Sequence, residues 1–97
     1  MKQNTRVVDL HIEKLAAGYK TFSPEDSFIY QKETFKRTLQ TNRYHKGMKI
    51  DFIHGHGEGT LRTELINILQ QKFPTYTYED APFNTYGYQG ALRVTIL

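Results

Sequence analysis

The sequence predicts an α/β (α+β) domain, a two-layer sandwich in which two main helices cover a mixed sheet of about four strands, in the order β-α-β-α-β-β. Two observations predict this class: short alternating or apolar runs typical of strands, and two longer segments with apolar residues at helical spacing. A length of 97 residues suits one domain, so we expect residues 1–97 to fold as a single unit. Strand, helix and strand in sequence favour a parallel pair with a right-handed crossover.

The first strand is predicted from Arg6 to Ile12, where apolar side chains occupy every second position. Asp9 and His11 share the opposite face of this strand, and two adjacent polar groups there require an explanation. Residues 13–22 lack a strong period and are predicted to form a connecting loop.

The first main helix is predicted to begin at Ser23, with Ser23 as the N-cap and Pro24 at the first helical position. An apolar stripe extends this helix to about Arg43, and Gly47 marks the end of the helical region. The stripe consists of Phe28, Phe35 and Leu39.

The second strand is predicted from Lys49 to Ile53, where both faces are largely apolar, as expected for an interior strand. A second helix follows and stops before Pro74. Its apolar positions recur at helical spacing: Leu61, Leu65, Ile68, Leu69 and Phe73.

The third and fourth strands are predicted from Tyr76 to Asp80 and from Ala91 to Leu97. Arg93 on the last strand is interpreted as a solvent-facing residue. The loop between these strands carries aromatic side chains, for which packing on the core is favoured over base stacking. They are Phe83, Tyr86 and Tyr88.

The composition narrows the possible classes of protein. The chain has 13 Lys and Arg against 10 Asp and Glu, and its formal net charge of +3 is a small bias toward anionic partners. The absence of cysteine excludes disulfides, thiolate catalysis and cysteine-based zinc sites. Because no apolar run approaches the ~20 residues that span a bilayer, we expect a soluble, cytoplasmic protein with no membrane partner.

The most informative segment runs from His54 to Arg62, where a strand leads through a loop rich in histidine and glycine into a helix. Glycines at every second position let the backbone approach a ligand, and the helix start offers N–H groups and a positive dipole end. The segment lacks the lysine of a P-loop, so an NTPase is not expected. We expect an anion to contact Gly55, His56, Gly57, Gly59, Thr60 and Arg62, although an exposed loop position is the favoured interpretation of His56.

Polar side chains from the first two strands are expected to meet at one end of the sheet. If these strands are parallel neighbours, His11 and His54 emerge where ligands of open α/β sheets bind. Asp9 lies on the same face as His11 and could orient an imidazole. The functional interpretation is a phosphodiester held by the loop and Arg62, with His11 and His54 transferring protons. The structural alternative for Asp9 is a carboxylate that accepts hydrogen bonds from the loop.

A metal site is a further alternative. His11, His54 and His56 could supply imidazole ligands, but their spacing matches no closed zinc pattern, and we assign no metal ligand. No cofactor is predicted, and assistance by a divalent cation such as Mg or Mn stays open.

Three segments together resemble the Smr (small MutS-related) domain: residues 8–11, residues 54–62 and residues 87–94. The landmarks of that family are an Asp-Leu-His-Gly strand end, a His-Gly-x-Gly loop before a Leu-Arg helix start, and a glycine followed by a final strand. They occur here in that order across nearly the whole chain. The resemblance implies a two-layer α/β sandwich and either DNA-nicking or RNA-cleaving endonuclease activity or nucleic-acid binding, with DNA or RNA as the partner.

The resemblance also implies roles for single residues. Asp9 and His11 match the first motif, and His54, Gly55 and Gly57 match the second. Ile12 stands where the first motif has glycine, so the alternative is a noncatalytic nucleic-acid-binding module or a protein-interaction domain. Smr domains usually form the C-terminal module of larger proteins, which implies domains of a parent protein as partners, and we expect the domain itself to be a monomer.

Overall fold

The computed structural model describes residues 5–55, 59–87 and 90–97, which form a four-stranded mixed sheet packed against helices. In chain order the elements are β1 (Thr5–Asp9), α1 (Ile12–Leu15), a 3-10 turn (Tyr19–Thr21), α2 (Pro24–Thr41), β2 (Lys49–Ile53), α3 (Thr60–Lys72), β3 (Thr77–Asp80), α4 (Phe83–Tyr86) and β4 (Ala91–Thr95). The predicted two-layer α/β class is confirmed. Among the described residues, no helix has the length and apolar character needed to cross a membrane.

The sheet has the strand order β1-β2-β4-β3. β1 and β2 pair in parallel with Asp9 beside Ile53, so the predicted parallel pair is confirmed. β4 pairs antiparallel with β2 and with β3, which places Ala91 beside Ile53 and Asp80 beside Leu92. The carboxyl ends of β1, β2 and β3 and the amino end of β4 therefore meet at one end of the sheet, which we call the upper end.

One face of the sheet packs against α2 and α3 through an apolar core. The rings of Phe35 on α2 and Phe52 on β2 meet edge to face, with their centroids 4.5 Å apart. Because alternate strand residues point to opposite faces, Ile50 and Phe52 face the helices and Asp51 faces away. The buried members of the core are Leu10, Phe35, Leu39, Met48, Ile50, Phe52, Leu65, Leu69, Leu92, Val94 and Ile96.

Local sequence explains where α2 begins and ends. Ser23 Oγ accepts the N–H of Asp26 at 3.0 Å, and the Asp26 carboxylate accepts the N–H of Ser23 at 3.4 Å, so the two residues form a capping box. Pro24 occupies the first helical position, as predicted. The helix ends slightly earlier than expected, because the side chain of Asn42 donates to Thr38 O at 2.8 Å and caps it.

The first strand is shorter than predicted. It ends at Asp9 rather than at Ile12, because the Asp9 carboxylate accepts the backbone N–H of His11 at 2.9 Å and turns the chain out of the sheet. Ile12 begins α1, and residues 13–22, predicted as a loop, contain most of α1 and the 3-10 turn. Leu15 packs against the apolar core, a tertiary contact that the weak local period does not reveal.

Two further differences lie near the last strand. β4 ends at Thr95 rather than at the predicted Leu97, although the N–H of Ile96 still donates to Met48 O at 2.9 Å. Part of the predicted loop before β4 forms the single-turn α4. Tyr88, considered for base stacking, lies outside the described residues.

Arg93, interpreted as solvent-facing, instead forms an ion pair across the sheet. Asp51 and Arg93 are neighbours in the register of β2 and β4, on the face opposite to the apolar core. Arg93 Nε donates to Asp51 Oδ1 at 2.7 Å, and Arg93 Nη2 donates to Asp51 Oδ2 at 3.0 Å. The Asp51 side chain is 1% exposed, and the guanidinium donates to both of its oxygens, which offsets the cost of burying the carboxylate.

Replacing Arg93 with glutamine is expected to destabilise the domain by about 3–5 kcal/mol, because the Asp51 carboxylate stays buried after its guanidinium is removed. Urea denaturation measures the change in the free energy of unfolding. The matched control is Arg62→Gln, which removes the ion pair with Asp80. The side chains of Arg62 and Asp80 are 26% and 39% exposed. That change should cost about 0–1 kcal/mol. Equal losses in the two variants would contradict a structural role for the buried pair.

Candidate functional site

At the upper end of the sheet, Asp9 and His11 form a hydrogen-bonded pair of a carboxylate and an imidazole. His11 Nδ1 lies 2.6 Å from Asp9 Oδ1, the oxygen that also accepts the backbone N–H of His11. Because an ionised carboxylate can only accept, Nδ1 carries the proton, and the lone pair of the neutral ring is at Nε2. The side chains of His11 and Asp9 are 43% and 33% exposed, so the pair is open to solvent.

The pKa of Asp9 lies below its ordinary value of 3.8. Partial burial by itself raises this pKa, but hydrogen bonds from the N–H and the ring of His11 lower it by more, and the charges of His11 and Lys14 add to the lowering. Asp9 is therefore ionised at neutral pH, and its hydrogen bond to Nδ1 fixes the orientation of the imidazole.

The backbone of Gly55 lies close against the His11 ring. Its φ is +80°, in the left-handed region that favours glycine. A side-chain carbon at this position would lie 2.9 Å from His11 Nε2, which is closer than such carbons approach their neighbours. The sequence predicts that Gly55 lets the backbone approach a ligand, and in the structure the group that Gly55 closely approaches is the ring of His11.

His54 lies at the end of β2 and is tied to the loop backbone. Its Nδ1 lies 2.8 Å from Gly55 O, and because a carbonyl oxygen only accepts, Nδ1 is the donor. The N–H groups of His54 and Gly55 both donate to Gly90 O, at 3.1 and 3.2 Å. The Nε2 atom of His54 is buried. Of the two imidazoles, His11 is therefore the one placed to exchange protons with a bound molecule.

The start of α3 supplies backbone donors at the same end of the sheet, because α3 follows the loop that leaves β2. Gly59 occupies the N-cap with a φ of +80°, and no described side chain caps the helix. The N–H of Thr63 donates to Gly59 O at 2.9 Å. The N–H groups of residues 60–62 precede that bond and, with the positive end of the helix dipole, suit an anion.

Arg62, expected to hold phosphate, is paired with Asp80 at the end of β3. Its Nε and Nη2 atoms donate to Asp80 Oδ1 at 3.1 and 2.9 Å. Both side chains are partly exposed, so water competes with the pair and it contributes little to stability. β3 ends at the upper end, so Arg62 is near the loop but directed to a carboxylate of the protein.

The described residues assemble part of the predicted site. Asp9, His11 and Gly55 are brought into close contact, while His56 and Gly57 lie outside the described residues. The other predicted residues at the upper end are His54, Gly59, Thr60 and Arg62. Within residues 5–55, 59–87 and 90–97, no group of three or more His, Asp or Glu side chains is arranged to hold a metal ion.

Sequence reasoning missed two residues that hold this end of the sheet together. Gln31 Nε2 on α2 donates to Leu10 O at 2.8 Å and so fixes the end of β1 from the helical layer. Gly90 O accepts from the N–H groups of the loop after β2. Gly90 is part of the third motif, but no local pattern signals which distant donor a carbonyl oxygen will meet. Gln31 lies in the polar part of a helix and carries no such signal either.

Comparison with known proteins gives no match, either to the models of protein families or to curated protein sequences. The upper end combines an ionised carboxylate, an oriented imidazole, a close-packed glycine and a helix start that no described side chain caps, a set of groups suited to binding an anion and transferring a proton.

Gly55→Ala is expected to displace the His11 ring and to destabilise the domain by more than Gly47→Ala does. Both glycines have positive φ, +80° and +88°, so both variants carry backbone strain of about 1–3 kcal/mol. Apart from its two chain neighbours, no described residue lies within 4 Å of a side-chain carbon at position 47, whereas one at position 55 meets His11.

Urea denaturation compares the free energies of unfolding of the two glycine variants, and the ¹⁵N NMR shifts of the His11 ring report its displacement. Unchanged His11 shifts together with equal stability losses would contradict the close approach of Gly55 to the imidazole.

Proposed function

We propose that this chain is a nucleic-acid-binding Smr domain that holds and cleaves a phosphodiester at the upper end of its sheet. The observation that carries the proposal is the Asp9–His11 pair, in which an ionised carboxylate orients an imidazole whose Nε2 lies at the glycine loop. An imidazole held in this way is a common acid–base group. The resemblance of three segments to the Smr motifs supports the same class of substrate.

In this mechanism His11 transfers the protons. Its Nε2 accepts the proton of a water or ribose hydroxyl whose oxygen forms the new bond to phosphorus. The bond between phosphorus and the leaving oxygen breaks, and the imidazolium returns a proton to that oxygen. Asp9 remains ionised throughout and stabilises the imidazolium. Positioned proton transfer of this kind contributes typically about 10²–10⁴-fold in rate.

The phosphate is held by backbone groups and the loop. The first-turn N–H groups of α3 and the dipole of that helix stabilise the negative charge that develops on the phosphate oxygens. His54 acts as a positioning residue, because its Nδ1 donates to Gly55 O and its Nε2 is buried. His56 and Gly57, which belong to the same motif, complete the loop in this proposal.

Ile12, which replaces the motif glycine, is compatible with this proposal. It is the first residue of α1 and has a helical backbone, which needs no left-handed conformation. The difference from glycine is therefore the bulk of its side chain beside His11. The noncatalytic binding module is the alternative in which that bulk prevents cleavage but not binding.

His11→Ala is expected to slow the cleavage of DNA or RNA by about 10²–10⁴-fold, because it removes the proton-transfer group. Folding should survive, since the ring is 43% exposed and lies outside the core. The assay uses labelled single-stranded and duplex DNA and RNA, with EDTA or with Mg²⁺. The matched control is His45→Ala, an exposed histidine after the end of α2.

Each outcome of this assay decides between the candidate functions. Salt-sensitive binding by the unaltered chain without any product favours the noncatalytic module. Indifference to every nucleic acid at low salt contradicts the proposal and favours a protein-interaction domain. Equal loss of activity in the two histidine variants contradicts the role of His11.

Asp80→Asn is expected to strengthen nucleic-acid binding at low salt, because it releases the Arg62 guanidinium toward the phosphate. One added phosphate contact steepens the slope of log K against log salt by about 0.7–0.9. Fluorescence anisotropy with a labelled oligonucleotide measures both quantities. Glu64→Gln removes the same charge two residues beyond Arg62 and is the matched control. An equal gain in both variants would indicate net charge rather than Arg62.

A further inference from the structure

A second surface lies at the other end of the sheet, where α2 and α3 finish. α3 runs away from the upper end for 13 residues, so its last residue, Lys72, is about 20 Å from its start. A depression of about 430 Å³ opens there between the ends of the two helices. We call it the lower groove and define it by Arg43, Tyr44, Lys46, Lys72, Phe73 and Tyr76.

The lower groove is cationic. Of the described residues that line it, three are Lys or Arg and none is Asp or Glu. Lys46 Nζ donates to the backbone oxygen of Leu97 at 3.0 Å, so Arg43 and Lys72 are the cations placed to meet a ligand. An adjoining depression of about 260 Å³ shares Gln40 and Lys72 with it and adds Lys36 and Arg37. The carboxylate in that second depression, Glu33, is already paired with Lys36. Such a surface attracts a polyanion.

The lower groove also presents one exposed aromatic ring, that of Tyr44, beside the partly buried rings of Phe73 and Tyr76, which pack against the core. Tyr44 is 78% exposed, which is unusual for so large a side chain, and the guanidinium of Arg43 lies 4.6 Å from its ring centroid. The rings of Phe73 and Tyr76 stack with centroids 5.2 Å apart and planes inclined by 28°. An exposed ring beside cations is the combination on which single-stranded nucleic acids stack their bases.

We propose that the lower groove binds a segment of single-stranded nucleic acid, with a base stacked on Tyr44 and phosphates on Arg43 and Lys72. The ligand is single-stranded because a base must leave its pair to stack on a side chain. The distance of about 20 Å from the upper end corresponds to roughly six nucleotides at 3.4 Å each. A strand of twelve nucleotides therefore reaches both ends. This surface is separate from the His11 site and does not depend on cleavage.

The test measures binding of a fluorescein-labelled twelve-nucleotide oligothymidylate by anisotropy at several salt concentrations. Arg43→Gln with Lys72→Gln should lower the slope of log K against log salt by about 1.4, since two phosphate contacts are lost. Arg6→Gln with Lys20→Gln removes the same charges from exposed positions elsewhere and should leave the slope unchanged. A slope that changes equally in both double variants overturns the proposal.

The stacking contact is tested separately. Tyr44→Ala should weaken binding about fivefold or more, since a base loses its platform. Tyr30→Ala, at a tyrosine 38% exposed on α2, should leave the affinity unchanged. Equal effects of the two substitutions overturn the assignment of Tyr44. So does equal displacement of the oligonucleotide by poly-L-glutamate, because that result makes the lower groove a general site for acidic chains.

NMR amide shifts during the titration separate this inference from the function proposed for the upper end. Shifts at residues 43–46 and 72–76 support the lower groove, with or without shifts at residues 9–11, 54–55 and 59–62. Shifts confined to the second set overturn the lower groove and leave the proposed function standing. Shifts confined to residues 43–46 and 72–76 support the lower groove and overturn the function proposed for the upper end. The absence of any shift overturns both.

Discussion

The register of β2 is the constraint on which the rest of the structure depends. β2 pairs with β1 on one side and with β4 on the other. Its Ile50 and Phe52 fill the apolar core, while Asp51 meets Arg93 on the opposite face. A slip of one residue would turn Asp51 into the core and Ile50 and Phe52 out of it. The apolar face and the charged face of β2 therefore select the same register. That register places His54 and Gly55 beside the end of β1.

Burial determines what each of the three aspartates in the described strands does. Asp51 is buried and holds strands together through a guanidinium that satisfies both of its oxygens. Asp9 is one-third exposed, and its hydrogen bonds with His11 leave it ionised and the imidazole oriented. Asp80 is the most exposed of the three, so water competes with its bond to Arg62. An aspartate thus holds strands together at one position, orients an imidazole at another and forms a solvent-exposed ion pair at the third.

The two ends of α3 are chemically different. The amino end begins after a glycine in the left-handed conformation, and its dipole favours an anion on the backbone. At the carboxyl end Lys72 complements the negative end of the dipole, which is a structural role. That role does not explain the exposed Tyr44 with its neighbouring guanidinium, which belong to the end of α2. The helix therefore connects the two surfaces for which we propose anionic ligands, one with backbone donors and the other with exposed cationic and aromatic side chains.

The sequence by itself determined the two-layer class, the two main helices and the position of Asp9, His11 and Gly55 at adjacent strand ends, because these follow from local periods, the Ser23–Pro24 helix start and chain order. It did not determine the end of β1, where the N–H of His11 donates to the Asp9 side chain instead of to a neighbouring strand. Nor did it determine the Asp51–Arg93 pair, whose members are 42 residues apart. Only the tertiary structure decided which charged groups pair and which imidazole stays open, because those partners are set by the approach of distant segments, which no local pattern encodes.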